Sequence, residues 1–213
     1  SKDDKLGDGI ASQMLVAYQN NVMYIGLLEY FVKNYQPGVG LERFGRDYIY
    51  TSPAIDFDLR PKWLPKNIRS IGPDIAAGIF HSTSNLDLIQ AETTISFLDV
   101  DFQSGANFEI RHNLNWQVDE IFAPVNIPIS PGSYFYNRTQ FSFNTDFCRK
   151  YAVMASFETG KYFDGRLNNT NASVRIAPIP HAEFSLDYEF NQLMSLGKLK
   201  QDKNTHLVGT NTR

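Results

Sequence analysis

Residues 108–119 alternate without a break between apolar and polar side chains, and this pattern limits the folds open to the chain. Successive side chains of a strand point to opposite faces, so such a segment has one apolar side and one polar side. One side runs from Phe108 to Val118 and the other from Glu109 to Asp119. At about 3.3 Å per residue the segment extends roughly 40 Å. We therefore predict a long strand with one face in an apolar environment and one in water.

The same period-two alternation recurs along most of the chain, whereas helical periodicity is nearly absent. An aromatic content of 14%, with 16 Phe and 11 Tyr, also suits the pleated surface of a sheet. We predict an all-β, antiparallel up-and-down meander that forms one domain over residues 1–213. About 11 strands are expected, at residues 10–18, 22–32, 48–59, 75–82, 89–97, 108–119, 135–145, 151–158, 167–176 and 182–191, with a last one opening at Thr205.

Strand length and link length favour an outer-membrane β-barrel over a soluble sandwich. A tilted strand needs about 9–11 residues to cross a bilayer, whereas soluble strands usually have about 5–6. The predicted links after odd-numbered strands are short, at residues 19–21, 103–106, 146–150 and 177–181. Those after even-numbered strands are longer, at residues 33–47, 81–87, 120–134, 160–166 and 191–204. This rhythm is typical of outer-membrane barrels, although the long link 60–70 breaks it.

The polar faces of two predicted strands carry the candidate functional residues. In a transmembrane barrel the polar face lines the lumen and the apolar face meets lipid. In a soluble sandwich the polar face is the wet outer surface, and alternation alone does not distinguish the two. Under the barrel hypothesis the lumen-facing candidates are Glu109, Arg111, Asp119, Glu183, Asp187 and Glu189.

Charge and composition exclude several other classes of protein. A net charge of −3 gives no basic face for nucleic acid. The single cysteine, Cys148, excludes an internal disulfide and a multi-cysteine metal site. No run of about 18 apolar residues is present, so no transmembrane helix is expected. Residues 1–9 are polar and do not resemble a signal peptide, so we expect a removed export signal or a fragment.

The most distinctive stretch is the segment NYQPGVG at residues 34–40 and the arginines after it. It resembles a loop of a C-terminal domain of unknown function in bacterial, especially Bacteroidetes-type, surface proteins. In those proteins the domain follows a carbohydrate-binding module similar to family nine. Gly38 stands where the family has an acidic residue, and Leu41 where it has an aromatic one. The motif positions that match are Asn34, Pro37, Gly40, Arg43 and Arg46.

Later features follow the same order as in that family, from about Tyr24 onward. They are the proline-containing turn at residues 60–65, the segment 71–73, the proline-rich loop 127–134 and the segment 178–181. The resemblance implies an outer-membrane β-barrel at the cell surface, linked to carbohydrate binding or uptake. Family annotation sometimes mentions hydrolase activity, but no catalytic residue carries over to this sequence.

The residues themselves indicate no catalytic machinery. Carboxylates two apart on a strand share a face about 6.6 Å apart, a separation that could suit a glycosidase, but any polar sheet face produces such pairs. They occur at Asp56 and Asp58, at Asp99 and Asp101, and at Asp187 and Glu189. The four histidines lack zinc-site spacing. Cys148 has cationic neighbours but no recognisable base or oxyanion site. We predict no enzyme activity, no cofactor and no metal.

The sequence is therefore interpreted as part of a β-barrel in the outer membrane of a Gram-negative bacterium, acting as an anchor or channel. Its expected partners are the lipid bilayer, carbohydrate and other outer-membrane proteins. Because single-chain barrels have even strand numbers, about 11 strands predict a partial barrel truncated at both ends. Two alternatives stay open: a soluble β-sandwich or barrel that binds glycan or lipid, and a carbohydrate-active hydrolase that depends on Asp99 or Asp187.

Overall fold

A computed structural model describes residues 10–33, 47–119, 127–179 and 182–212, without the side chain of Asp119. These residues form twelve β-strands and no helix. None of the described segments is therefore a helix with the length and apolarity needed to cross a membrane. The strands are β1 Ile10–Gln19, β2 Met23–Lys33, β3 Tyr48–Phe57, β4 Ile68–Ile71, β5 Asp74–Ser82, β6 Leu88–Phe102, β7 Asn107–Asp119, β8 Gly132–Asn144, β9 Tyr151–Tyr162, β10 Gly165–Ile179, β11 Ala182–Leu196 and β12 Gln201–Thr212.

All twelve strands belong to one antiparallel sheet in which neighbours in sequence are neighbours in space, from β1 across to β12. The all-β, up-and-down arrangement expected from the alternation is confirmed. The edge strands β1 and β12 are not paired with each other, so the described sheet is open. Eleven of the strands have nine or more residues, and β6, β10 and β11 have 15 each.

The short strand β4 explains the link that breaks the predicted rhythm. Both β4 and β5 pair antiparallel with β6, so they form one strand position interrupted at Gly72–Pro73. The Gly72 N–H donates to the Asp99 carbonyl (2.8 Å), and Leu59 bridges Ile71. The sequence prediction of one link over residues 60–70 was therefore wrong. A strand of four residues, separated from β5 by Gly72 and Pro73, is too short for alternation to reveal.

Two more links expected from the sequence are wrong, one predicted as intermediate in length and one as long. The link predicted at residues 160–166 is the turn Phe163–Asp164, because β9 continues to Tyr162. The link predicted at residues 191–204 contracts to residues 197–200. Alternation first fails at Gln192, which lies on the apolar face, and at Leu193, which lies on the polar face. A register shift between Leu193 and Leu196 follows, so the last residues of β11 were not recognised as strand. The alternation of link lengths therefore fails in these two hairpins.

The register gives the sheet two distinct faces. Directly paired residues of adjacent strands share a face. The register therefore assigns each residue of the neighbouring strands to the same face as its partner among residues 108–119. We call the side of Phe108 the apolar face and the side of Glu109 the polar face. Phe141, Phe157 and Leu186 lie on the apolar face and are 41%, 41% and 43% exposed. No second layer of described residues covers them, so these residues do not form a two-sheet sandwich.

The main buried cluster lies on the opposite face, at the end of the sheet that carries the β9–β10 and β11–β12 turns. Residues 127–131 cross the polar face there, and the Tyr134 hydroxyl donates to the Ser130 carbonyl. A Cβ added to Gly197, whose φ is +74°, would lie 2.7 Å from the Pro128 carbonyl oxygen. The segment therefore reaches from β8 to the β11–β12 turn. The cluster consists of Ile127, Ile129, Phe163, Leu167, Leu193 and Leu196.

Asp164 ties these two turns together. Its carboxylate accepts hydrogen bonds from the Gly197 N–H (2.9 Å) and the Lys200 ammonium (3.2 Å). Partial burial raises the pKa of the Asp164 carboxyl, but these two donors outweigh burial and hold the pKa below its ordinary value. The stabilisation is thus present above the unfolded-state pKa and is lost as pH falls through the lower folded-state pKa.

Replacing Asp164 with Asn should lower the free energy of unfolding by about 1 kcal/mol at pH 7, because a charge-assisted acceptor is lost. The same substitution should have a smaller effect at pH 2, because the native carboxyl loses its charge as the pH falls through its lowered folded-state pKa. Urea unfolding of both proteins at the two pH values measures the difference. An equal difference at pH 2 and pH 7 would contradict the role assigned to the charge.

Candidate functional site: the two faces of the sheet

The polar face aligns hydrogen-bonding side chains in rows across the strands. One row of successive paired residues begins at Glu109 on β7 and reaches Glu189 on β11. At about 4.8 Å per strand, these two carboxylates lie roughly 19 Å apart along the row. The row consists of Glu109, Ser142, Ser156, Asn171 and Glu189. The predicted lumen residues thus share a face but do not converge on one point.

Glu109 and Arg111 contact each other directly on the polar face. The Glu109 Oε1 atom lies 2.7 Å from the Arg111 Nη2 atom, and it accepts a hydrogen bond from the Ser96 hydroxyl at 2.6 Å. Ser96 is only 1% exposed, so this contact satisfies a buried hydroxyl. The hydroxyl contact crosses from β6 to β7, and Ser96 and Arg111 both contact the Oε1 oxygen of the Glu109 carboxylate. Asp119 ends β7 opposite Gly132, and its side chain lies outside the described residues.

The three candidates on β11 also have partners. The Arg175 guanidinium donates to Glu183 (2.7 Å) and to the Phe147 carbonyl (2.7 Å), which ties β10 to the β8–β9 turn. The Ser173 hydroxyl donates to Asp187 at 2.5 Å. The Asn191 amide donates to Glu189 at 2.6 Å. Each acidic candidate therefore takes part in a network of the polar face.

The ion pair between Arg138 and Glu158 was missed by the sequence analysis. Their side chains are 18% and 16% exposed, with 2.9 Å between the Arg138 Nε and Glu158 Oε1 atoms. The Asn113 amide donates to the same oxygen at 3.2 Å, which joins β7 to β9 across β8. The guanidinium also lies 5.5 Å from the ring centroid of Tyr162. Glu158 is the last residue of its predicted strand, and Arg138 lies on a different strand. Their contact could be found only from the register in which β8 pairs with β9.

Amide side chains continue the polar face across β10 and β11. The Asn169 amide donates to Asn191 at 2.7 Å, and the Asn171 amide donates to Asn169 at 2.6 Å. Asn171 also reaches the Ser156 hydroxyl on β9 at 3.4 Å. These amides are themselves uncharged and combine donors with acceptors, and Glu189 lies directly opposite Asn171.

Asp99 and Asp101, one of the carboxylate pairs considered for catalysis, accept hydrogen bonds from neighbouring side chains. The Asn107 amide donates to Asp99 at 2.5 Å and to Asp101 at 3.3 Å. The Arg69 guanidinium and the Ser70 hydroxyl both donate to Asp101, at 2.7 Å and 3.2 Å. Cys148 is exposed in the β8–β9 turn. Within the described ranges no group of three or more His, Cys, Asp or Glu side chains is arranged to hold a metal ion.

The residues of the family-like segment lie outside the described residues, and this applies to each of its motif positions. These are Asn34, Pro37, Gly40, Arg43 and Arg46.

The apolar face is not uniform, and its apolar residues form an oblique band. On β1–β7 one register row carries Tyr18, Ile25, Ile55, Ile75, Ile95 and His112. The same row continues over β8–β12 with Thr139, Thr159, Asn168, Gln192 and Asn204. Four residues nearer the β10–β11 turn, a parallel row carries Phe108, Phe143, Ala155, Ala172, Tyr188 and Val208. The apolar surface thus shifts along the strands from one side of the sheet to the other.

The polar part of this face is internally hydrogen-bonded. The Thr159 hydroxyl donates to the Asn168 side chain at 2.6 Å, and the Asn168 amide donates to Gln192 at 3.0 Å. On the next strand pair, the His112 ring and the Thr139 hydroxyl are 2.9 Å apart. A line of polar groups therefore marks the limit of the apolar band over β7–β11.

Comparison of the chain with protein-family models, with curated proteins and with solved structures gave no match. The resemblance to the surface-protein domain remains a prediction from the sequence.

Proposed function

We propose that this sheet is the membrane-spanning part of a β-barrel in a bacterial outer membrane. The apolar face would contact lipid, and the polar face would line a lumen. The observation that carries the proposal is the oblique band of exposed and partly exposed apolar residues. A row that holds four isoleucines on β2–β6 becomes fully polar on β8–β12, while a row nearer the β10–β11 turn stays apolar.

Strand tilt accounts for this shift. Barrel strands lie about 35–45° from the barrel axis. A hydrocarbon layer perpendicular to that axis therefore meets each successive strand at a different register position. The apolar band of a tilted sheet must then cross the hydrogen-bonded rows obliquely, as it does here. Strands of 12–15 residues from β6 to β12 are also long enough for such a crossing.

The paired polar face supports a lumen on the other side. Ion pairs such as Arg138–Glu158 and Arg175–Glu183 let charged groups lie on that face without leaving a charge unmatched. Residues 127–131 cross this face at one end, where they would narrow the lumen. The amide surface formed by Asn169 and its neighbours offers donors and acceptors to sugar hydroxyls.

The family resemblance extends the proposal to a biological role. The barrel would anchor a carbohydrate-binding region at the surface of a Gram-negative cell or serve carbohydrate uptake, with other outer-membrane proteins as further partners. The absence of catalysis remains part of the proposal. It would be contradicted if purified protein cleaved a polysaccharide and Asp99→Asn or Asp187→Asn abolished the cleavage.

Membrane fractionation tests the proposal directly. The chain is expressed with a cleavable export signal in a Gram-negative host, and the outer membrane is separated from the periplasm and washed with urea. We expect the protein in the washed outer membrane, with gel mobility that changes on boiling because a folded barrel resists detergent. A monodisperse, folded protein in the periplasmic fraction without detergent would instead support the soluble alternative and overturn this one.

A further inference from the structure

Two cationic residues face each other on the apolar face, just beyond the polar row. Lys161 on β9 and Arg166 on β10 are direct partners in the register, and both are exposed. Like charges directly opposite each other on a sheet destabilise it. Neither cation forms an ion pair or hydrogen bond with any residue that the structure describes. The arrangement is therefore suited to an anion bound between them.

The distance of these two cations from the apolar band, measured along the membrane normal, places them in the headgroup layer of a bilayer. Phe157, on the same face of β9, belongs to the apolar band, and Thr159 belongs to the polar row. Lys161 lies four residues beyond Phe157, which is about 13 Å along the strand and about 9 Å along the membrane normal at a tilt of 45°. The headgroup region adds about 5–8 Å beyond the hydrocarbon on each side, and a lysine or arginine side chain can adjust its depth to reach it.

An open depression surrounds the two cations. It has a volume of about 640 Å³ and is lined also by Phe135, Asn137, Ser195 and Asp164, whose carboxylate is paired with Lys200. Phe135 is 59% exposed at its edge, next to the polar Asn137 side chain. A guanidinium and an ammonium bind phosphate oxygens through charge-assisted hydrogen bonds, while the apolar band on the inner side of the polar row can receive the acyl chains.

We infer that Lys161 and Arg166 bind the phosphate group of a membrane lipid in the leaflet at the β9–β10 end of the sheet. The inference rests on the proposed function, because it requires the apolar face to lie against a bilayer. Phosphate neutralises the repulsion between the two cations, and the lipid's chains continue along the exposed residues nearer the middle of β9 and β10. The site recognises an anionic phospholipid as a whole, so inorganic phosphate alone lacks the apolar part of the contact.

Native mass spectrometry of the full chain, refolded in a nonionic detergent, tests this site. Phosphatidylglycerol is the anionic probe, phosphatidylcholine the zwitterionic one, and inorganic phosphate the soluble one. We expect the native chain to retain phosphatidylglycerol in preference to the other two. The double variant K161Q/R166Q should bind it about tenfold more weakly, which corresponds to about 1.4 kcal/mol.

The matched control removes the same charge at the opposite end of the sheet. Lys62 and Lys66 are exposed in the turn between β3 and β4, and K62Q/K66Q should retain phosphatidylglycerol like the native chain. An equal loss in both variants, or no lipid preference in a folded native chain, would overturn the site. Binding of inorganic phosphate that competes with the lipid would also overturn it, because the ligand would then be a free anion. Failure of the native chain to reach a heat-modifiable folded form in any lipid would instead remove the proposed function itself.

Discussion

Phe157→Arg should reduce the insertion of the sheet into a bilayer. Phe157 lies on the apolar face of β9 within the oblique band and is 41% exposed. A cationic residue on the lipid face of a barrel costs about 2–4 kcal/mol at the bilayer midplane and about 0–1 kcal/mol near the interfaces. Phe157 lies beside the polar row, toward the interface, and the substitution also removes the lipid contact of its ring. The fraction of protein that reaches the heat-modifiable form in vesicles measures the effect, and urea unfolding of that form gives its free energy.

The neighbouring residue supplies a matched control. Ser156 lies on the polar face of the same strand, and Ser156→Arg adds the same charge toward the proposed lumen. We expect insertion close to that of the native chain, because the new side chain meets water and polar groups. If both substitutions were tolerated, or if Phe157→Arg improved solubility without detergent, the apolar face would not contact lipid.

Gly160→Ala should destabilise the sheet by about 3 kcal/mol or more. Gly160 has a φ of +154° on β9, and an added Cβ would lie 2.2 Å from the Asn137 carbonyl oxygen and 2.7 Å from the Arg138 Cα atom. Both contacts are with backbone, which cannot move aside without breaking the pairing of β8 with β9. The neighbouring Arg138–Glu158 ion pair would be displaced as well. Urea unfolding in vesicles measures the change.

Gly209→Ala is the appropriate comparison for this substitution. Gly209 lies within β12, and the nearest atom to an added Cβ there is the Asp187 Cβ at 3.7 Å, an ordinary van der Waals distance. We expect a change within about 0.5 kcal/mol. Equal stabilities of the two variants would show that the close approach at Gly160 does not constrain the sheet.

Much of the sheet could be predicted from the sequence, because the alternation of apolar and polar residues indicates on which face of a strand each side chain lies. The strand of residues 108–119 was predicted with its faces in the correct phase, and the structure adds only one residue at its start. Alternation fails where the chain departs from a regular strand. The register shift after Leu193 concealed the end of β11, and the break at Gly72–Pro73 concealed β4. Both are local backbone features that hydrophobic pattern does not encode.

The candidate site was predictable only within single strands. Glu109 and Arg111 are two residues apart, so their common face and their contact follow from strand geometry. The contacts of Glu158 with Arg138 and Asn113 depend on how three strands align. The oblique apolar band also depends on strand alignment, because its slope is measured against the rows of paired residues that cross the sheet. Register is a property of pairing, and no single strand contains it.

The direction of the two edge strands, β1 and β12, limits how this sheet can close into a barrel. The sheet has eleven positions, since β4 and β5 occupy one, and successive positions alternate in direction. β1 and β12 therefore run the same way, and joining their free edges would create a parallel seam. A closed barrel in which all neighbouring strands are antiparallel needs an odd number of additional strands between β1 and β12. The smallest such barrel has twelve strand positions, and its twelfth strand pairs antiparallel with both β1 and β12.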